Sequence, residues 1–430
     1  MLTFIKAWIK ILIVPISYAL GIAAMLYTAF KDVRPGIFLL VALIPQPNLW
    51  YKYHQYPLGD QFIDILYFAV VVAIFVQNRK WIRTPNASLL FAYMIMGYLS
   101  LVNTSLTFNL PFPISTSNTL LVELKNYLQM IGLYFLVSQS LDDEKEKKLC
   151  LMVMSAVVFL VAVRAYRNFY GGDTFEYGRR AGGPFEVVKL GANHLGAFMA
   201  NSVAMLSGLL LCDDSWKRKA LYVAAISYGI LAMLFSYSRG AYVAVFFVLV
   251  YFGIRKKRSL LLVALLLAIT WKTILPASVT DRILMTRSED GVIEDSAAAR
   301  LGLWSHAFQI FSANPVFGVG YGGFGMTVTG PLTDTHNFFA KTLCEQGGVG
   351  TVLLLILLAR AYRSGEALLK NAHTPFLKGL GLGFTGCLVS VIVTNMFGDR
   401  WSYFVLGGYF WVLWGLVDNA AVNLARTETS

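Results

Sequence analysis

Long apolar runs separated by short charged loops leave this chain few ways to fold. The first run reads "ILIVPISYALGIAAMLYTAF" at 11–30, and a later one begins "TVLLLILLA" at 351. A run of about 20 such residues is long enough to cross a hydrocarbon core of roughly 30 Å as a helix. Composition agrees, since 57% of the 430 residues are hydrophobic and only 14% are charged. Soluble domains carry about 25% charged residues. These features predict an all-α polytopic membrane protein forming a single transmembrane domain over 1–430. The first run is longer than the apolar stretch of a secretion leader and has no small-residue cleavage site, so a span is expected there.

Expected spans lie near 11–30, 35–47, 62–77, 86–103, 119–140, 149–166, 191–211, 219–237, 240–254, 259–275, 339–359, 376–395 and 402–418. The loops "KDVR", "NRKWIR", "DDEKEKK", "KRK", "RKKR" and "ARAYRS" fall on one side when these are counted. An excess of Lys and Arg marks the cytoplasmic side. Parity from "KDVR" puts the amino terminus outside, whereas Lys6 and Lys10 pull it inward, so about 12 to 13 spans are expected. The other side carries 46–61, 104–118, 167–190 and a large loop, 276–338. In that loop 295–312 has helical spacing, and "SANPVFGVGYGG" breaks it.

Other classes fit poorly. The net charge of +12 is scattered between spans, with no basic helix interleaved with aromatics, so no nucleic-acid partner is expected. Cys150, Cys212, Cys344 and Cys387 form neither a C-x-x-C pair nor a metal-ligand cluster. An internal inverted repeat, which would favour a transporter, is not found.

The outer side is rich in arginine: Arg164, Arg167, Arg179, Arg180, Arg239, Arg282, Arg287, Arg300 and Arg400, against Lys52, Lys189, Lys272 and Lys341. Arginine grips phosphate in a bidentate fork and stays charged when partly buried. The cluster therefore suggests an anionic ligand at that surface. Arg239 lies in "SYSRGAYVAV", between spans joined with almost no loop. Taken alone, it equally fits a snorkelling arginine at a tight turn supplied by Gly240. Arg300, taken alone, fits a solvated residue or a partner for Glu294 or Asp295.

His336 stands where the chain enters a span, beside a helix start that favours anions. A neutral imidazole there can take a proton from an attacking hydroxyl. Asp334-Thr335 is a candidate N-cap for that helix. Glu345, deeper in the helix, reads first as a structural hydrogen-bonding group, and Gly347, Gly348 and Gly350 as points of close helix contact.

Together, "SRG" (238–240), "RLGLWSHAFQIFSANPVFGVGYGGF" (300–324) and "HNFFAKTLCEQGGVG" (336–350) resemble the O-antigen ligase and polymerase family of bacterial envelope enzymes. "GGPFEVVKLGANHLGAFM" (182–199) is similar to a further family segment. "RPGIFLLVALIPQPNLW" (34–50) resembles ligase-like proteins associated with exosortase systems. The resemblance implies a GT-C-like fold in the bacterial inner membrane. It implies a glycan donor on polyprenyl pyrophosphate, used on the periplasmic face, and a lipid, glycan or protein acceptor. Arg239 and Arg300 would bind the pyrophosphate, and His336 would be the base. Arg180 and Arg164 are further phosphate candidates, with Asn337 and Glu345 in support. No metal or nucleotide cofactor is implied. Polymerase and ligase are not separated at this level, and a lipid-linked glycan flippase is the alternative of another class.

Overall fold

A computed structural model of the chain describes residues 2–77, 79, 81–167, 169, 176, 179–285, 295–328 and 334–429, with side chains between 14 and 426 except at 295–297. Arg287 and Glu294 lie outside the described residues, and the side chain of Asp295 is not described. The chain is 81% helical, with no strand among the described residues.

The first helices are α1 (Leu2–Phe30), α2 (Val33–Leu43), α3 (Pro47–Trp50), α4 (Phe62–Val76), α5 (Ala87–Thr107) and α6 (Thr119–Ser140). There follow α7 (Glu144–Arg167), α8 (Ala192–Cys212), α9 (Trp216–Phe235), α10 (Arg239–Arg255) and α11 (Ser259–Ile274). The large loop contains α12 (Ala277–Leu284), α13 (Asp295–Ala313) and α14 (Gly323–Thr327). The chain closes with α15 (Phe338–Asn371), α16 (Pro375–Met396) and α17 (Phe404–Thr429).

This is the expected all-α polytopic membrane architecture, with a lower span count. Each expected span falls on a helix, but among the described residues nine are long and apolar enough to cross a membrane, or ten if α11 and α12, bent by 105°, count as one. The other expected spans are short. At 1.5 Å per residue, the 11 residues of α2 reach only about 16 Å. In α1 the described apolar stretch is Val14–Phe30, and α10 has 17 residues.

The centre is formed by α8, α16 and α17, whose apolar windows are 72%, 83% and 89% buried, against 28% for α9. Small residues let α8 and α16 touch. A Cβ on Gly208 would stand 2.3 Å from the Gly383 Cα, so any larger residue would drive the helices apart.

The large loop is tied to α15 by an exchange of backbone hydrogen bonds. Gly347 has φ 63 and ψ −161, which interrupts α15 and frees its carbonyls and amides. Val319 N–H donates to the Cys344 carbonyl (3.0 Å) and Gly320 N–H to the Glu345 carbonyl (2.8 Å). In return, Gly348 N–H donates to the Pro315 carbonyl (2.8 Å) and Val349 N–H to the Val316 carbonyl (3.2 Å). Irregular backbone within a membrane-type helix is tolerated where protein buries and satisfies it. The Asn-Pro and glycine segment is what satisfies it here. Gly347 therefore makes the break, and Gly348 joins the exchange; the expectation of close helix contact is replaced by loop docking.

The same docking fixes α13. Leu303, Ala307 and Ile310, on one helical face, pack against Val319, Phe324 and Cys344. On the other side, Tyr321 N–H donates to the Ser100 carbonyl of α5 (3.1 Å). A Cβ at position 347 would lie 2.4 Å from the Val316 oxygen, at a φ that side chains rarely adopt. Gly347→Ala is expected to destabilise the protein by more than about 1 kcal/mol. Gly302→Ala, in the helical α13 with nothing within 4 Å of the new Cβ, is expected to be neutral or stabilising. Thermal unfolding of the two purified variants checks this contrast.

Candidate functional site

The turn between α9 and α10 consists of Ser236, Tyr237 and Ser238. Tyr237 takes the left-handed conformation (φ 53), so Tyr237 rather than Gly240 makes the turn. Gly240 lies within α10, where a Cβ would meet Phe397 at 3.0 Å. Tyr237 Oη donates to Ser278 Oγ (3.0 Å), fastening the turn to α12. Arg239 is the first residue of α10 and projects from this fixed turn at one end of the bundle.

Arg180 holds the turn from behind. Its guanidinium donates to the Ser236 carbonyl from Nε (3.0 Å) and Nη2 (2.8 Å), and to Asn193 Oδ1 (2.6 Å). A cation at the final carbonyls of α9 also complements that helix's dipole. Arg164, at the end of α7, is engaged elsewhere. Its Nη1 lies 2.7 Å from the Asn48 side-chain amide, which accepts in the orientation that satisfies both groups. Neither Arg164 nor Arg180 lines the cavity described next.

Four arginines line one cavity of about 450 Å³: Arg239 of α10, Arg282 of α12, Arg300 of α13 and Arg400 of the α16–α17 connection. Arg282 and Arg400 are buried. Arg400 Nη1 is 3.0 Å from His194 Nε2, so the imidazole accepts there. The same cavity has an apolar side formed by Val243, Ile283, Leu301 and Phe397. Cationic groups and an apolar wall in one concave space suit an anion carried on a hydrocarbon. Sequence reading placed Arg282 and Arg400 on this side but not in the site, because nothing local distinguishes them from interface arginines.

His336 borders this cluster. Trp304 lies one turn after Arg300 on α13, and its indole N–H donates to the Thr335 carbonyl (3.0 Å). The spacing of Arg300 and Trp304 thus lets one helical face line the cavity and hold the chain next to His336. The histidine is half-buried, in the left-handed region (φ 51). Its Nδ1 is 3.5 Å from Asp334 Oδ2. Burial lowers its pKa below the ordinary 6.5; Asp334 and Asp399 oppose this, while the Arg300 and Arg400 cations add to it. The ring is therefore favoured as the neutral base.

Asn337 and Glu345 have structural partners. Asn337 Oδ1 accepts from the Phe339 and Ala340 amides (3.0 and 3.1 Å), so Asn337 is the N-cap of α15, not Asp334-Thr335. Thr335 Oγ1 instead braces Asn337, accepting from its N–H (3.2 Å) and donating to its carbonyl (2.8 Å). Buried Glu345 accepts from the Phe324 amide (3.4 Å), on the docked loop.

With this geometry in place, the comparisons with known proteins are informative. Residues 224–355 match the family model described as O-antigen ligase. The matched segment runs from α9 to the middle of α15 and contains Arg239, Arg282, Arg300 and His336. No curated protein matches the chain.

Arg180→Met is expected to cost about 1–3 kcal/mol, because it leaves the Ser236 carbonyl and Asn193 without their donor. Thermal unfolding of the purified variant checks this; unchanged stability would remove Arg180 from its place as the support of the turn.

Proposed function

From the match of residues 224–355 to the O-antigen ligase family model, we propose that this chain transfers a glycan from a polyprenyl-pyrophosphate carrier to an acceptor hydroxyl. The reaction takes place on the periplasmic face of the bacterial inner membrane. The observation that carries this reading is the convergence of Arg239, Arg282, Arg300 and Arg400 on one cavity with an apolar side.

Each side chain has a task. The arginines receive the pyrophosphate, and the apolar wall receives the start of the polyprenyl chain. As the bond between the anomeric carbon and the pyrophosphate oxygen breaks, its electron pair stays on that oxygen. Negative charge grows on the leaving group, and guanidinium groups already fixed in place stabilise it more as it grows. The acceptor oxygen forms the new bond to the anomeric carbon from the opposite face. His336 takes the hydroxyl proton, and Asp334 beside Nδ1 orients the ring so that Nε2 is the accepting atom. Catalytic contacts in a ligand-free enzyme are commonly looser than in the complex, which accommodates the 3.5 Å spacing. The loop side of the bundle is periplasmic on the distribution of basic residues between spans. A ligase is favoured over a polymerase by the likeness of 34–50 to exosortase-associated ligases.

The test is reconstitution in liposomes with a lipid-pyrophosphate glycan and a panel of envelope acceptors. The expected outcome is glycan on an acceptor. Translocation of the donor without transfer, with both substrates shown to be competent, would make the chain a flippase. His336→Ala is expected to lower transfer by about 10²–10⁴-fold at unchanged protein abundance.

Arg239→Lys and Arg300→Lys keep the charge but lose the fork, so both are expected to be impaired. Full activity with lysine at both positions would argue for a generic surface charge instead. The pH profile carries a sign as well. The imidazole acts when neutral and its pKa lies below the ordinary 6.5, so the acidic limb of the rate profile should have its midpoint below pH 6.5. An acidic limb with its midpoint above 6.5 would contradict this assignment.

A further inference from the structure

Arg400 lies on the connection between α16 and α17, and its neighbours fix how it enters the arginine cavity. Asn395 Oδ1 accepts from the backbone N–H groups of Arg400 (2.8 Å) and Trp401 (3.0 Å), which sets the main chain. Gly398 leaves space for the side chain to fold back, since a Cβ there would stand 2.5 Å from the Arg400 Cζ. His194, in the first turn of α8, then takes the guanidinium. Arg400 Nη1 donates to His194 Nε2 (3.0 Å) and to the Asp399 carbonyl (3.2 Å), so both of its hydrogens are used. Nε and Nη2 make no hydrogen bond among the described residues, and together they form an edge that can grip a phosphate in two parallel bonds.

The imidazole is itself held in place. Asn193, the residue before it, accepts from Arg180 Nη2 (2.6 Å). On another side the ring stands edge-on to Tyr403, with centroids 5.3 Å apart and planes at 90°. An imidazole nitrogen that accepts an N–H bond carries no proton, so the ring proton is on Nδ1 and the imidazole is neutral. That Nδ1 is buried with no hydrogen-bond partner among the described residues, a penalty that the acceptor role of Nε2 imposes. Carboxylates stay out of the contact. Asp399 Oδ2 accepts from Lys341 Nζ (3.0 Å) and Ser402 Oγ (2.7 Å), and its side chain lines a second, acidic cavity of about 590 Å³ with Asp60, Asp64 and Glu123. Arg400 forms no ion pair among the described residues. A neutral acceptor turns a guanidinium without cancelling its charge, whereas a carboxylate would turn it and cancel it.

We propose that His194 is the positioning residue for Arg400 in donor binding: Nε2 holds Nη1, and the Nε–Nη2 edge is presented to the pyrophosphate with its charge intact. This rests on the reading of the arginine cavity as the donor's pyrophosphate site. His194 does not line that cavity and acts only through Arg400. Position 194 therefore needs a neutral acceptor at the reach of Nε2. Glutamine supplies one through Oε1. Leucine supplies none and leaves a guanidinium N–H without its acceptor. Glutamate supplies an acceptor but removes one unit of net positive charge from beside the cavity. The first turn of α8 thus joins the α9–α10 turn to the α16–α17 connection, through Arg180 on Asn193 and His194 on Arg400.

Binding of farnesyl pyrophosphate, a short polyprenyl pyrophosphate, to the full chain in lipid nanodiscs tests this together with thermal unfolding. His194→Gln is expected to bind within about threefold of the unsubstituted chain, and His194→Leu about tenfold more weakly. His194→Glu is expected to unfold no lower than His194→Leu, yet to bind about tenfold more weakly than His194→Gln. A purely structural role would make binding follow stability across the three variants. With the unsubstituted chain binding, equal binding by the Leu or Glu variant, or a Gln variant as weak as Leu, would overturn the assignment. The ring is read separately, without ligand, by nitrogen NMR of isotope-labelled histidine at neutral pH. The signals lost in His194→Gln are expected to show the proton on Nδ1, and the Nε2 signal to move in Arg400→Lys. A proton on Nε2, or an unmoved signal, would overturn it as well. No binding of the probe by the unsubstituted chain, with both NMR signatures present, would count against the donor site and not against the hold of His194 on Arg400.

Discussion

The break in α15 at Gly347 organises this end of the molecule. A helix inside an apolar bundle cannot leave backbone groups unpaired, because each lost hydrogen bond costs about 1–3 kcal/mol. The freed groups of 344, 345, 348 and 349 are therefore matched by those of 315, 316, 319 and 320. That match fixes a loop to a helix as firmly as a strand pair would. Everything upstream inherits the constraint: α13 is seated by Leu303, Ala307 and Ile310, and through it Arg300 and Trp304 take their places. The same helix whose break receives the loop carries Asn337 at its start, directly after His336. Arg300 and His336 are thus two ends of one rigid assembly, although 36 positions separate them in the sequence.

Charge does the rest. Four arginines in one cavity repel each other, and that arrangement is stable only with compensation from neighbours such as Asp399 or from a bound anion. A site built this way is poised for a ligand with two adjacent negative groups. The two cavities at this end of the molecule differ in their linings. One is cationic with an apolar wall; the other is acidic, amide-lined and aromatic. A single short connection, from α16 to α17, separates them and contributes Arg400 to one and Asp399 to the other.

Much of this was legible in the sequence where the signal is local. The helical stretch at 295–312 follows from its spacing and its end from Asn-Pro. Signals that depend on tertiary direction were not legible. Arg164, Arg180, Arg282 and Arg400 all look alike as outer-side arginines, yet the first two bind Asn48 and the α9–α10 turn and the last two line the cavity. The glycines at 347 and 348 read as helix-contact residues because a sequence does not display a positive φ. Asp334, Thr335 and Asn337 are all good cap formers, and only the left-handed turn at His336 selects Asn337. Short α2 was counted as a span because its composition is apolar, although its 11 residues fall below a full crossing.

The central claim is that the four arginines form one pyrophosphate site, and the most direct measurement is a structure of the full chain in lipid with a polyprenyl pyrophosphate bound. The account predicts both phosphates within hydrogen-bonding distance of at least two of Arg239, Arg282, Arg300 and Arg400, with the hydrocarbon leaving past Val243 and Ile283. Phosphates seated in the acidic cavity beside Asp399, or at the opposite end of the bundle, would contradict it.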